Sequence, residues 1–194
     1  ASKQAALAFL GRTYLAAKKF PEAAAAYKQI IDLGDNIIDP DYASIFLPGN
    51  ENSKENIFSM QYMQDKAGNG LLQHALPVKD GGWCLVNVSA SLFEAYQFKD
   101  GTTFSYESPL YNPDNLGENR DPRLDYTIYY NGSTFKGTVY DCHPDSNSPD
   151  KVAGGQTTQT GFMMRKYLDE NYSGDLNVYG GNVPIIRYSE VLLS

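Results

Sequence analysis

Tryptophan occurs once in this chain, at Trp83, and cysteine and histidine occur twice each. The cysteines, Cys84 and Cys142, are too few for a disulfide framework and share no short metal-ligand spacing. One bridge between them is open on these grounds; two unpaired thiols are the preferred reading. No run approaches the roughly 20 apolar residues that cross a bilayer, and no charged-then-apolar leader opens the chain. Basic clusters are missing apart from Lys18 and Lys19 at a helix end. With a net charge of −7, few phosphate contacts are on offer, which argues against nucleic acid as a partner. Also missing are a Gly-x-Ser-x-Gly elbow, a His-Glu-x-x-His pair and a phosphate-cradling glycine loop. The 23 acidic residues make glycosidase-type carboxylate pairs plentiful and therefore uninformative. No enzyme and no cofactor are expected.

What is present is enough for one substantial domain: 194 residues, 42% of them hydrophobic. The chain starts at Ala1 and stops at Ser194 inside an apolar run, and it reads as a piece of a longer protein. Residues 5–17 place Ala6, Leu7, Leu10, Tyr14 and Leu15 on one helical stripe. Lys18 to Pro21 make a turn, with Pro21 placed to begin the next helix, where its missing N–H costs nothing. Ala23, Tyr27, Ile30 and Ile31 continue the periodicity until Gly34 supplies a left-handed stop. The combined pattern is that of a tetratricopeptide-type hairpin. Gly11 is expected to let the helices approach, Ala23 to fit opposite it, and Tyr14 and Phe20 to fill the seam.

Beyond Gly34 the texture changes. A helical turn is expected at 42–46, a strand at 57–62, loop at 64–82 and a short amphipathic helix at 89–98. Residues 105–122 read as irregular and 126–130 as a strand, with Asn131 and Gly132 as a hairpin-turn signal. A polar loop at 141–161, a strand at 162–167 and the opening of a helix at 184–193 complete the chain. The expected fold is mainly α: tetratricopeptide-like hairpins with an irregular, loop-rich insertion containing short β-strands. The divisions are 1–35 for the hairpin, 36–183 for a ligand-binding subdomain and 184–194 for a further scaffold helix.

These segments, in their order, resemble the SusD/RagB family of outer-membrane glycan-binding lipoproteins, the surface partners of TonB-dependent transporters in Bacteroidetes. The resemblance rests on the hairpin at 5–33, Tyr42 to Phe46, Asn52 to Tyr62, Leu92 to Thr102, Asp121 to Leu124, Arg165 to Tyr167 and Pro184 to Leu193. It implies a middle section of a mostly helical protein several hundred residues long. It also implies non-catalytic capture of a polysaccharide or oligosaccharide on the outer face of the outer membrane and its delivery to a SusC-like transporter. The lipid anchor, the only membrane contact, would lie outside this chain. The competing reading is a helical-repeat protein-interaction module with no glycan ligand.

Sugar recognition needs flat apolar platforms among a few polar groups. Trp83 follows the turn Asp80-Gly81-Gly82, which lifts an indole toward solvent. In family terms, binding aromatics often sit in such a loop; core packing is the competing role. Gln73 and His74 share the region as hydrogen-bonding candidates. Asp80 reads first as a turn residue and only then as a hydroxyl acceptor. Tyr106 and Tyr111 flank Pro109, and packing is favoured for both. Asp114, Glu118 and Asp121 lack EF-hand spacing. Arg120 and Arg123 are expected to pair locally or with another segment, and the three-residue spacing of Arg187 and Glu190 allows a same-face pair.

Overall fold

A computed structural model describes residues 2–152, 154 and 157–194. Position 1 of the hairpin and positions 153, 155 and 156 of the expected polar loop therefore lie outside the described residues. The chain divides into two compact units. One runs to Met63 and takes in Gly180–Ser194; the other is Gln64–Tyr179.

The first unit is built on helices α1 (Lys3–Ala16) and α2 (Phe20–Leu33). The Ser2 hydroxyl caps α1 by accepting from the Ala5 N–H at 3.1 Å, and Gly34, at φ 69°, closes α2 in the left-handed region. The two helices form as expected, with Gly11 and Ala23 buried, but the apolar stripe and Phe20 are placed differently. The buried face of α1 is Ala5, Ala8 and Gly11, whereas Ala6 and Leu10 of the expected stripe are exposed. Phe20 is 62% exposed and lies outside the seam. Small residues line the contact because the helices approach so closely there. A Cβ added at Gly11 would stand 2.7 Å from the buried Tyr27 ring. Larger side chains are displaced to the flanks, where Phe9 meets Phe58 edge-on at 5.1 Å.

Strand β1 (Asn56–Met60) pairs antiparallel with β6 (Val183–Arg187), placing Phe58 against Ile186. The segment expected as helix from Pro184 is thus a strand first, and α6 spans only Tyr188–Leu193. The β-branched pair Ile185 and Ile186 and the period-two burial along 183–187 favour the extended form. Arg187 and Glu190 do not pair with each other. Arg187 reaches Glu55 at 2.7 Å, and Glu190 receives a forked bond from Arg12, which also donates to the Ile185 carbonyl. Tyr27, Ile30, Ile57, Ile186 and Val191 form the core of this unit.

The second unit is largely irregular, so the mainly α expectation holds only in part. Its helices are α3 (Leu71–Ala75), α4 (Ala90–Ala95) and α5 (Arg123–Thr127). Its strands are β2 (Ile128–Tyr129), β3 (Thr134–Phe135), β4 (Thr138–Val139) and β5 (Met163–Met164). Helix α3 and a 3-10 turn at Val78–Asp80 replace part of the expected loop. Helix α5 replaces the first half of the strand expected at 126–130. The turn at Asn131-Gly132 forms, with the Ser133 N–H bonded to the Tyr130 carbonyl, yet it does not join paired strands. The hairpin closes instead between β3 and β4 at Lys136 and Gly137, both at positive φ as a two-residue turn requires. Two apolar clusters stabilise the unit, one around Leu72, Tyr129, Phe135 and Met163, the other around Phe93, Phe98, Phe104 and Leu124.

Adding a methyl group in the hairpin seam tests its closeness. Gly11→Ala gains about 1 kcal/mol of helix propensity, but overpacking against Tyr27 costs about 1–3 kcal/mol. Net destabilisation is expected in chemical denaturation; an unchanged or raised midpoint would show that the seam is looser than described.

Candidate functional site

Two groups of candidate residues stand in the second unit. The first is built on α3. The segment after Gly82 runs back along that helix: the Trp83 N–H donates to the Gln73 carbonyl at 2.8 Å and the Leu85 N–H to that of His74 at 2.7 Å. Cys84 sits in the left-handed region at φ 51° with its side chain buried, while Trp83, 45% exposed, and Leu85 lie at the surface. Gly82 permits the close approach, since a Cβ there would lie 2.2 Å from the Leu76 carbonyl oxygen. The His74 ring meets the Trp83 indole edge-on at 5.2 Å. Its Nδ1 lies 2.6 Å from the Gly70 carbonyl oxygen, which can only accept. Neutral His74 therefore carries its proton on Nδ1 and leaves Nε2 as an acceptor.

Gln73 and Asp80 face inward. The Gln73 amide donates to the Gly81 carbonyl at 2.9 Å, bracing the turn, and Asp80 pairs with Lys79 at 2.8 Å. Beneath them lies Asp150, fully buried, accepting from the Val78 N–H at 2.6 Å and more distantly from that of Lys79. Burial raises its pKa, with those backbone N–H groups opposing the shift.

The second group surrounds Tyr106. A cleft of about 500 Å³ is lined by Glu94, Phe104, Ser105, Tyr106 and Glu107. Tyr106 is 53% exposed, donates its hydroxyl to Glu94 at 3.1 Å, and meets Phe104 at 4.8 Å and Tyr111 at 5.3 Å, all edge-on. Burial, then the Glu94 bond, raises the Tyr106 pKa. The ring contacts and hydrogen bonds described for Tyr106 and Tyr111 include none of Gln73, His74, Asp80 or Trp83.

Leu85, Glu94 and Glu107 were absent from the sequence-derived candidates. Nothing local in the sequence marks any of the three. Arg123 pairs locally, with Asp121, while Arg120 bonds another segment through the Phe93 and Tyr96 carbonyls and is buried against aromatic rings. Glu118 accepts from the Asn112 side chain, and among the described residues no three metal-ligating side chains gather. Cys84 and Cys142 are free and buried, with burial pushing each thiol up to about 11. Neither is a thiolate at neutral pH.

A model described as the SusD family matches residues 44–194. Among solved structures, a SusD-like carbohydrate-binding protein from Bacteroides fragilis shares 52% identity over 100% of this chain, with a TM-score of 0.96. A second SusD-like protein from Bacteroides fragilis shares 26% identity over 100% of this chain, with a TM-score of 0.80. The chain spans 39% and 42% of those two proteins. Surface glycan-binding protein A from Bacteroides thetaiotaomicron, in complex with laminarihexaose, shares the fold at a TM-score of 0.56. The alignment covers 88% of this chain and 36% of that one, at 22% identity. No curated protein matches the chain.

The buried carboxylate gives a signed pH prediction. Because the folded pKa of Asp150 is raised above 3.8, its cost to stability is fully present above that folded pKa. The cost fades as pH falls through the folded pKa and is gone below 3.8. Wild type should therefore gain stability relative to Asp150→Asn on acidification from pH 7 toward 4. A flat difference across that range in denaturation curves would show that Asp150 is not penalised by burial. Asp150→Ala, which strands two backbone N–H groups, should cost about 1–3 kcal/mol.

Proposed function

The chain belongs to the SusD family, and on that premise we propose that it forms part of a non-catalytic surface protein. That protein captures a polysaccharide or oligosaccharide and passes it to a SusC-like TonB-dependent transporter. It works at the outer face of the outer membrane, held there by a lipid anchor outside this chain. The observation that carries the reading is the 52% identity, over the whole chain, to a SusD-like carbohydrate-binding protein.

The local chemistry supports binding over catalysis. Both thiols are buried and protonated, and the exposed His143 ring lies 3.9 Å from the Asp145 carboxylate. The exposed Trp83 indole offers a face for the C–H side of a pyranose, with Leu85 extending the apolar surface and His74 Nε2 accepting a hydroxyl. Tyr106 supplies a second aromatic face, with Glu94 and Glu107 as acceptors for hydroxyl donors. Two carboxylates beside that face repel uronate or sulfate groups and favour neutral sugars. Millimolar capture is worth only about 4 kcal/mol, so two platforms of this size suffice.

Trp83 reports on the first face without interference, since it is the sole tryptophan. A saturable emission change is expected with one class of soluble neutral glycans, laminarihexaose included in the panel, and Trp83→Ala should weaken calorimetric affinity at least tenfold at unchanged melting temperature. Retained affinity would remove Trp83 from the site, and silence across the panel would favour the protein-interaction module. Glu94→Gln with Glu107→Gln should improve binding of oligogalacturonides relative to neutral oligosaccharides; an unchanged ratio would mean that the carboxylates do not set charge preference.

A further inference from the structure

Arg120 is 1% exposed, and among the described residues no carboxylate bonds to it. Its Nη2 donates to the Phe93 carbonyl at 2.7 Å and the Tyr96 carbonyl at 2.9 Å, both at the C-terminal end of α4. Its Nε and Nη1 find no partner among the described residues. The guanidinium instead lies over aromatic rings, 3.9 Å from the centre of Phe104, 4.5 Å from Phe93 and 5.7 Å from Phe98. Burial lowers its pKa, yet a guanidinium stays charged at neutral pH. A buried cation without an anion is a costly arrangement, and apolar replacements of buried ions often fold as well or better. Simple packing does not account for it.

Its contacts supply an account. The backbone brings Arg120 inward: Asn119 adopts φ 57°, the Lys99 N–H donates to the Asn119 carbonyl, and the Asp121 N–H donates to the Gln97 carbonyl. Residues 99–119 thereby form a loop whose neck is closed by the pairing of Phe98 with Arg120. Inside the loop, the ring stacked on Arg120 is Phe104, and Phe104 is the ring that meets both Tyr106 and Tyr111 edge-on. Arg120 therefore ties the end of α4, which also carries Glu94, to the ring that seats the tyrosine pair. Lysine has no planar group to lie flat on a ring while bonding the two carbonyls.

We propose that Arg120 is the positioning residue of the Tyr106–Tyr111 face, bonding the end of α4 and stacking on Phe104 so that both tyrosines are held before ligand arrives. The consequence for glycan capture rests on the proposed function; the positioning itself does not. Protein carrying labelled tyrosine, with Tyr106→Phe and Tyr111→Phe for assignment, reports the ring-to-ring nuclear Overhauser effect between the two residues, whose centroids stand 5.3 Å apart. Arg120→Met, which keeps an apolar stem, should remain folded by circular dichroism and lose that signal by more than half. Arg120→Gln, which keeps a donor but not the stack, should do the same. Wild-type intensity in either folded variant overturns the proposal, as does unfolding of both, which would make the role global. Titration with laminarihexaose is read separately: absence of any Tyr106 or Tyr111 shift counts against the glycan reading of this face, while the ring-to-ring signal alone decides Arg120.

Discussion

Between Gln64 and Tyr179 the chain has helices of five or six residues and strands of two, so regular ladders satisfy little of its backbone. Buried N–H and carbonyl groups must nevertheless be bonded. Side chains take over that task. Asp150 receives the Val78 N–H, Asn131 the Cys142 N–H, and Arg120 supplies donors for the carbonyls ending α4. Aspartate and asparagine turns at Asp100, Asn112 and Asp175 repeat the device on the surface. The abundance of acidic and amide residues in this stretch is thus a structural necessity before it is anything else.

The same constraint shapes the candidate surfaces. A loop whose polar groups are closed by its own side chains is held in few conformations, and a ligand then pays less entropy for binding it. Trp83 stands on a segment bonded residue by residue to α3, and Tyr106 is fixed by a hydroxyl bond and two ring contacts. Both faces are set by their scaffolding. Rings held in that way give a weak sugar ligand its best return, because C–H faces contribute through area and fit rather than through strong single bonds.

The hairpin unit follows a different logic. Its helices are regular, so backbone bonding is internal, and what needs specifying is how the elements meet. Small residues at Ala5, Ala8 and Gly11 set the distance, and the partly exposed Arg12–Glu190 pair joins the first helix to the last. Such a pair adds little stability in water; its forked geometry, shared with the Ile185 carbonyl, contributes register.

The sequence by itself determined the hairpin, the start of its second helix and its stop, because Pro21 and Gly34 act on backbone within a turn of themselves. It also carried the family, through the order of segments along the chain. It placed Trp83 and His74 in one region, which the structure brings into ring contact. Only the tertiary structure decided that Val183–Arg187 extends rather than coils, since its partner strand lies more than a hundred residues earlier. Only the fold revealed that Arg120 is a buried cation, that Glu94 faces Tyr106, and that Phe20 stands outside the seam. Local signals choose φ and ψ, whereas burial and pairing depend on which distant residues arrive, and no window of a few residues contains that information.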